Sequence, residues 1–157
     1  MNHRWFVETC LSGEQVDLAR RVLREGSPLA RHVLDWSLKM LLPIRALQSG
    51  RGPGWFVFSY EQLVLQRDAM LEQISERLDL PDLAALQEQA KKPSRTVSAE
   101  TVEQVDNPDF LIGRWRSKVG VDEEADLMRI PTALGIDAYE AGRLEARAPY
   151  WMDLPTG

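Results

Sequence analysis

The run Gly54-Trp55-Phe56-Val57-Phe58-Ser59-Tyr60-Glu61-Gln62-Leu63 constrains the fold of this chain more than any other stretch. Trp55 to Phe58 are bulky aromatic and β-branched residues, which suit a pleated, half-buried surface and predict a strand. Ser59 and Gln62 then stand at capping-box spacing, so a helix is expected to start at once. A buried strand that turns directly into a helix is the building unit of an α/β sheet. Such a strand needs neighbours, because its backbone groups must be hydrogen-bonded once buried. No other segment reads as a confident strand, so the sheet would need weak strands in the first residues or a second chain.

The remainder reads as helix and loop. Ser12 and Gln15 repeat the capping-box spacing, and Val16, Ala19, Val22 and Leu23 follow at helical intervals up to Gly26. Ser27-Pro28 reads as an N-cap with proline at the first helical position, and Leu29, Val33, Trp36, Met40 and Leu41 follow on related faces. Pro43 is expected to kink or end that helix. Gln48 to Gly54 reads as a loop. After Tyr60 a helix of about five turns is expected, with Leu63, Met70, Leu71, Ile74 and Leu78 as its apolar stripe. Leu80-Pro81-Asp82 breaks it ahead of a short helix through Leu83 and Leu86. Lys91 to Ser98 reads as a polar loop, and Pro108 to Val119 as a further helix with Trp115 in the core. Asp122-Glu123-Glu124 places carboxylates at the start of the next helix, where they complement its dipole. Pro131 is a weak point in that helix, and residues 1–11 give no clear pattern.

With 157 residues, the chain is long enough for one domain with a core. Its net charge of -5 argues against a nucleic-acid partner, which usually meets a basic excess. Cys10 is the single cysteine, so no intrachain disulfide can form, and a reducing, cytoplasmic compartment is expected. His3 and His32 stand apart with no metal-ligand spacing, and the apolar run Leu38 to Leu47 is too short and too charged to span a bilayer.

Three segments, in order, resemble the later half of a sulfotransferase domain. Phe58-Ser59-Tyr60-Glu61-Gln62-Leu63 followed by Leu78-Asp79-Leu80-Pro81 is similar to the family's Tyr-Glu-x-Leu strand end, its helix and a Leu-Gly-Leu/Pro phrase. Lys92-Pro93-Ser94-Arg95-Thr96-Val97-Ser98 is similar to a family loop rich in hydroxyl and basic residues. Ile112-Gly113-Arg114-Trp115-Arg116-Ser117-Lys118-Val119, with Leu134-Gly135-Ile136-Asp137-Ala138-Tyr139, resembles the closing Gly-x-Trp-Lys/Arg segment and the final Gly-x-x-x-Tyr. The resemblance covers about residues 30–151.

It implies an α/β fold, the later part of a P-loop-like sulfotransferase domain, mostly helical with few parallel strands. Residues 1–157 would then form a single, partial domain. The family transfers a sulfuryl group from 3'-phosphoadenosine 5'-phosphosulfate (PAPS) to a hydroxyl or amine, using cationic and backbone donors around the phosphates and a base for the acceptor proton. By this resemblance Tyr60 faces adenine, or else packs at the strand end. Ser94, Arg95 and Thr96 offer two hydroxyls and a guanidinium to an anion, or else cap the next helix. Arg114 and Arg116 substitute for a basic phrase whose place is taken here by Pro108-Asp109-Phe110, or else flank Trp115 on an exposed face.

The family's phosphosulfate loop and its Arg-x-Pro-x-Asp phrase have no counterpart in the sequence, and Gly50-Arg51-Gly52-Pro53-Gly54 precedes the strand where a phosphate loop follows one. The chain is therefore not expected to transfer sulfuryl groups alone. No catalytic residue is assigned, and Cys10 and His32 receive no role. The alternative is a non-catalytic helical interaction or regulatory module derived from that fold. In that reading the partner is a second copy or another chain that completes the sheet, with no nucleic acid and no membrane involved.

Overall fold

The computed structural model describes residues 3–50, 54–92 and 107–147, and among these the backbone pairs only in helices and turns. The expected α/β fold with a P-loop-like sulfotransferase sheet is thereby overturned: no strand ladder exists among the described residues. Trp55 to Ser59 are outside any helix and lead straight into one, and no described residue pairs with them as a strand. High strand propensity needs a neighbouring backbone to become a sheet, and side-chain type alone does not provide one.

The chain divides into two compact units, residues 1–55 with 121–142, and residues 56–120 with 143–157. The first is built on helices α1 (His3–Cys10), α2 (Gly13–Glu25), α3 (Pro28–Gln48) and α8 (Val121–Ala133). Helix α1 was not legible as a pattern, yet Phe6 and Cys10 lie one turn apart and both are buried. In α2 both bonds of the capping box form, Gln15 N–H to Ser12 Oγ at 3.3 Å and Ser12 N–H to Gln15 Oε1 at 3.1 Å. Gly26 ends it by donating its N–H to the Val22 carbonyl.

Helix α3 starts as expected, with Ser27 Oγ accepting from Ala30 N–H at 3.1 Å and Pro28 in the first turn. It does not end at Pro43 but runs on to Gln48. A proline in a helix interior costs about 3 kcal/mol. Contacts on either side of it offset that cost. Leu41 and Ile44 are buried, each contributing about 1.5–3 kcal/mol. Beyond the proline, Arg45 donates to the Cys10 carbonyl at 2.6 Å and Gln48 Nε2 to Asp137 Oδ1 at 3.0 Å. Helix α3 packs against α8, with Leu34 and Leu41 on one side and Leu127, Ile130 and Leu134 on the other elements of the same core.

The acidic start of α8 is as read, and Glu124 is drawn inward: its Oε1 accepts from Gly142 N–H at 2.8 Å. Pro131 does not break α8. The helix closes in a Schellman motif, with Ile136 N–H donating to the Pro131 carbonyl and Gly135 N–H to Thr132, both at 2.9 Å. Gly135 has φ of +80°, where a side chain would be strained, and it turns Ile136 and Ala138 back into the core. Tyr139 then meets Trp36 edge to face, ring centroids 5.9 Å apart.

The second unit holds α4 (Tyr60–Leu65), α5 (Arg67–Arg77), α6 (Leu83–Ala90), α7 (Pro108–Gly113) and a 3-10 helix over Arg114–Lys118. The single helix expected after Tyr60 is two, because Gln66 leaves helical geometry at φ -123°, ψ 41°. Met70 and Leu71 carry the buried part of the stripe, while Leu78 is exposed. Helix α5 ends in a second Schellman motif, Leu80 N–H to the Ser75 carbonyl at 2.9 Å, with Asp79 at φ of +50° in the position that glycine favours. Helix α4 packs on α7, and α5 on α6.

Candidate functional site

The site is built around the segment that the sequence marks out. Phe56 and Phe58 are two residues apart on non-helical backbone, and their rings meet at 5.4 Å between centroids. The guanidinium of Arg77, from the last turn of α5, lies 5.7 Å above the Phe56 ring. Phe56, Val57 and Phe58 are half-buried. Ser59 is buried and has extended backbone angles, and its Oγ accepts from Gln62 N–H at 3.0 Å. Gln62 itself is fully buried, with Nε2 3.5 Å from Gln66 Oε1. The cap thus fixes where the segment stops and the helix starts.

Along Phe56–Phe58 no backbone N–H or carbonyl is hydrogen-bonded to another described residue. Side-chain packing and backbone pairing have therefore come apart. Two aromatic rings and a cation are arranged, while the backbone groups of the segment have no hydrogen-bond partner among the described residues. Chemically, such a segment can accept a second extended strand through N–H···O=C bonds.

Of the site residues singled out by the resemblance, Tyr60 and Arg114 are among the described residues. Tyr60 is the first residue of α4 and is 56% exposed, and its hydroxyl has no hydrogen bond among the described residues. Arg114 opens the 3-10 helix on the surface, and its carbonyl accepts from Ser117 Oγ at 2.7 Å. The two belong to the same unit, on or next to helices that pack together. Ser94, Arg95 and Thr96 lie outside the described residues, as do Arg51 to Pro53 of the glycine-rich loop. Trp115, expected in the core, is 37% exposed, and Arg116 lies over its ring at 5.3 Å. A 3-10 helix over Arg114–Lys118 replaces the last turns of the expected helix.

Sequence reasoning missed Arg77, whose partner Phe56 is far away in sequence, and Glu124, whose partner is a loop amide. No pattern at fixed spacing announces either contact. Among the described residues no group of three or more His, Cys, Asp or Glu side chains is placed to hold a metal ion, and no helix is long and apolar enough to cross a membrane. No protein-family model, no curated protein and no solved structure matches the chain.

Proposed function

We propose that this chain is a non-catalytic helical interaction module that receives an extended segment of another polypeptide along Phe56–Phe58. One observation carries the reading: a strand-forming, uncharged run whose backbone groups are unused within the described structure. Surfaces of this kind bind by strand addition, in which main-chain bonds supply affinity and side chains on alternate positions supply selectivity. The buried Cys10, alone in the sequence, fits a reducing, cytoplasmic setting.

The test is calorimetric titration against an array of ten-residue peptides with alternating apolar and polar residues. Saturable binding is expected for at least one peptide, and it is lost in Val57→Pro, which removes a ladder donor. The contrary result is no peptide binding together with saturable binding of 3'-phosphoadenosine 5'-phosphate that is lost in Arg114→Ala. That outcome would return the chain to the nucleotide chemistry implied by its sulfotransferase resemblance.

A further inference from the structure

We propose that the segment received along Phe56–Phe58 is acidic, carrying a glutamate that pairs with the Arg77 guanidinium. This rests on the strand-receiving reading above and names the chemistry of its partner. Arg77 ends α5, where a cation complements the helix dipole. At four places on this chain a basic side chain pairs with a carboxylate three or four residues before it: Asp17 with Arg20, Asp35 with Lys39, Glu88 with Lys91, and Asp126 with Arg129. The corresponding places around Arg77 hold Gln73, Ile74, Leu80 and Pro81, none of them acidic. No ion pair joins Arg77 to a described residue; its guanidinium lies instead 5.7 Å from the ring centroid of Phe56, in the same unit.

Attraction to a ring draws on the charge of a guanidinium and leaves its in-plane N–H donors for a carboxylate, which they can meet with two parallel bonds. Arg77 is exposed, so a partner can reach it. Phe56 and Phe58 share one face of the extended backbone, their rings tilted by 51°, and the cation stands at the Phe56 end of that face. A strand laid alongside sets one residue opposite Phe56, about 4.5–5.5 Å away between Cβ atoms, and another, two positions along, opposite Phe58. The first meets both ring and cation, which suits glutamate: its aliphatic stem covers the ring and its carboxylate reaches the guanidinium. The second meets a ring alone, which suits an apolar side chain. The signature is therefore a glutamate and an apolar residue two positions apart. The chain's net charge of -5 repels an acidic peptide, so a preference for glutamate has to come from a local cation.

The experiment uses the full chain and the peptide array above, each peptide made in three versions with glutamate, glutamine or lysine at one central position of its apolar face. The glutamate version is expected to bind about fivefold tighter than the glutamine version, the upper range for an exposed pair in fork geometry, and the lysine version most weakly. The preference shrinks as salt is raised. In Arg77→Gln the glutamate and glutamine versions bind alike, with the glutamine version keeping its affinity. Arg77→Glu turns the preference to lysine. Phe56→Leu keeps the cation but removes the ring that holds it, and lowers the preference for glutamate to about twofold. Helical circular dichroism is expected to be unchanged in all three variants.

Equal affinity for the glutamate and glutamine versions, or a preference for glutamate that survives Arg77→Gln, overturns the acidic partner. Should such peptides still bind in a Val57→Pro-sensitive way, only the chemistry of the partner falls. No saturable binding of any version removes the strand-receiving reading as well.

Discussion

Leu41–Ile44 in the first unit and Phe56–Phe58 in the second are both short apolar runs, and they end in opposite states. The first lies in a helix that satisfies its own backbone, so burial of Leu41 and Ile44 is all the surroundings must add. That is enough to carry the helix through a proline. The second has side chains at least as suited to burial, and its rings do pack, yet its backbone remains unpaired among the described residues. Helices close their hydrogen bonds within one segment, whereas strands depend on what lies beside them.

The largest effects should fall on the self-sufficient side of this comparison. Leu41→Ala, at a position with no exposure, is expected to cost about 3–4 kcal/mol in chemical denaturation, while Val57→Ala in dilute protein costs less than about 1 kcal/mol. Similar losses for the two would mean that the strand segment is packed as tightly as the helical core. Next comes Glu124→Ala, which leaves the Gly142 amide without its carboxylate acceptor and should cost about 2 kcal/mol, with Glu124→Gln recovering about half. Ser59→Ala tests the boundary between strand and helix. Loss of this cap is expected to destabilise by about 1 kcal/mol and to fray the start of α4, seen as faster amide exchange at Gln62.

The smallest effect belongs to an exposed pair at the end of α6. The Glu88 carboxylate, hydrogen-bonded to Lys91 at 2.7 Å, raises the Lys91 ammonium above its ordinary 10.5. A raised lysine stabilises the folded form fully below its ordinary value and loses that contribution as pH climbs through the raised one. No change is expected between pH 7 and 9, and a slight loss above about 10.5. A side-chain NMR titration should show Lys91 returning to the ordinary range in Glu88→Gln.

What the sequence disclosed, and what it hid, follows the same division. Ser12 with Gln15, Ser27 with Pro28, and Ser59 with Gln62 were legible because a cap is settled within three residues. The carboxylates opening α8 were legible for the same reason. The continuation of α3 past Pro43 was not legible because the contacts beyond the proline come from Cys10 and Asp137, which no local window contains. Helix α1 was hidden because its two buried residues gain their meaning only in the folded core. Gln66 splits the helix expected after Tyr60 at a point where propensity alone gives no warning. Of the residues drawn from the resemblance, Tyr60 and Arg114 are exposed. Asp79 shows the reverse case: a phrase with glycine in the resemblance carries an aspartate here, and its φ of +50° reveals why glycine suits the position.

Amide hydrogen exchange at Phe56, Val57 and Phe58, followed from low to high protein concentration, tests the unpaired strand most directly. These three amides are expected to exchange at nearly the unprotected rate while Leu41 and Ile44 are strongly protected. Strong protection of all three at every dilution would contradict it, because it would place their hydrogen-bond partners within the single chain.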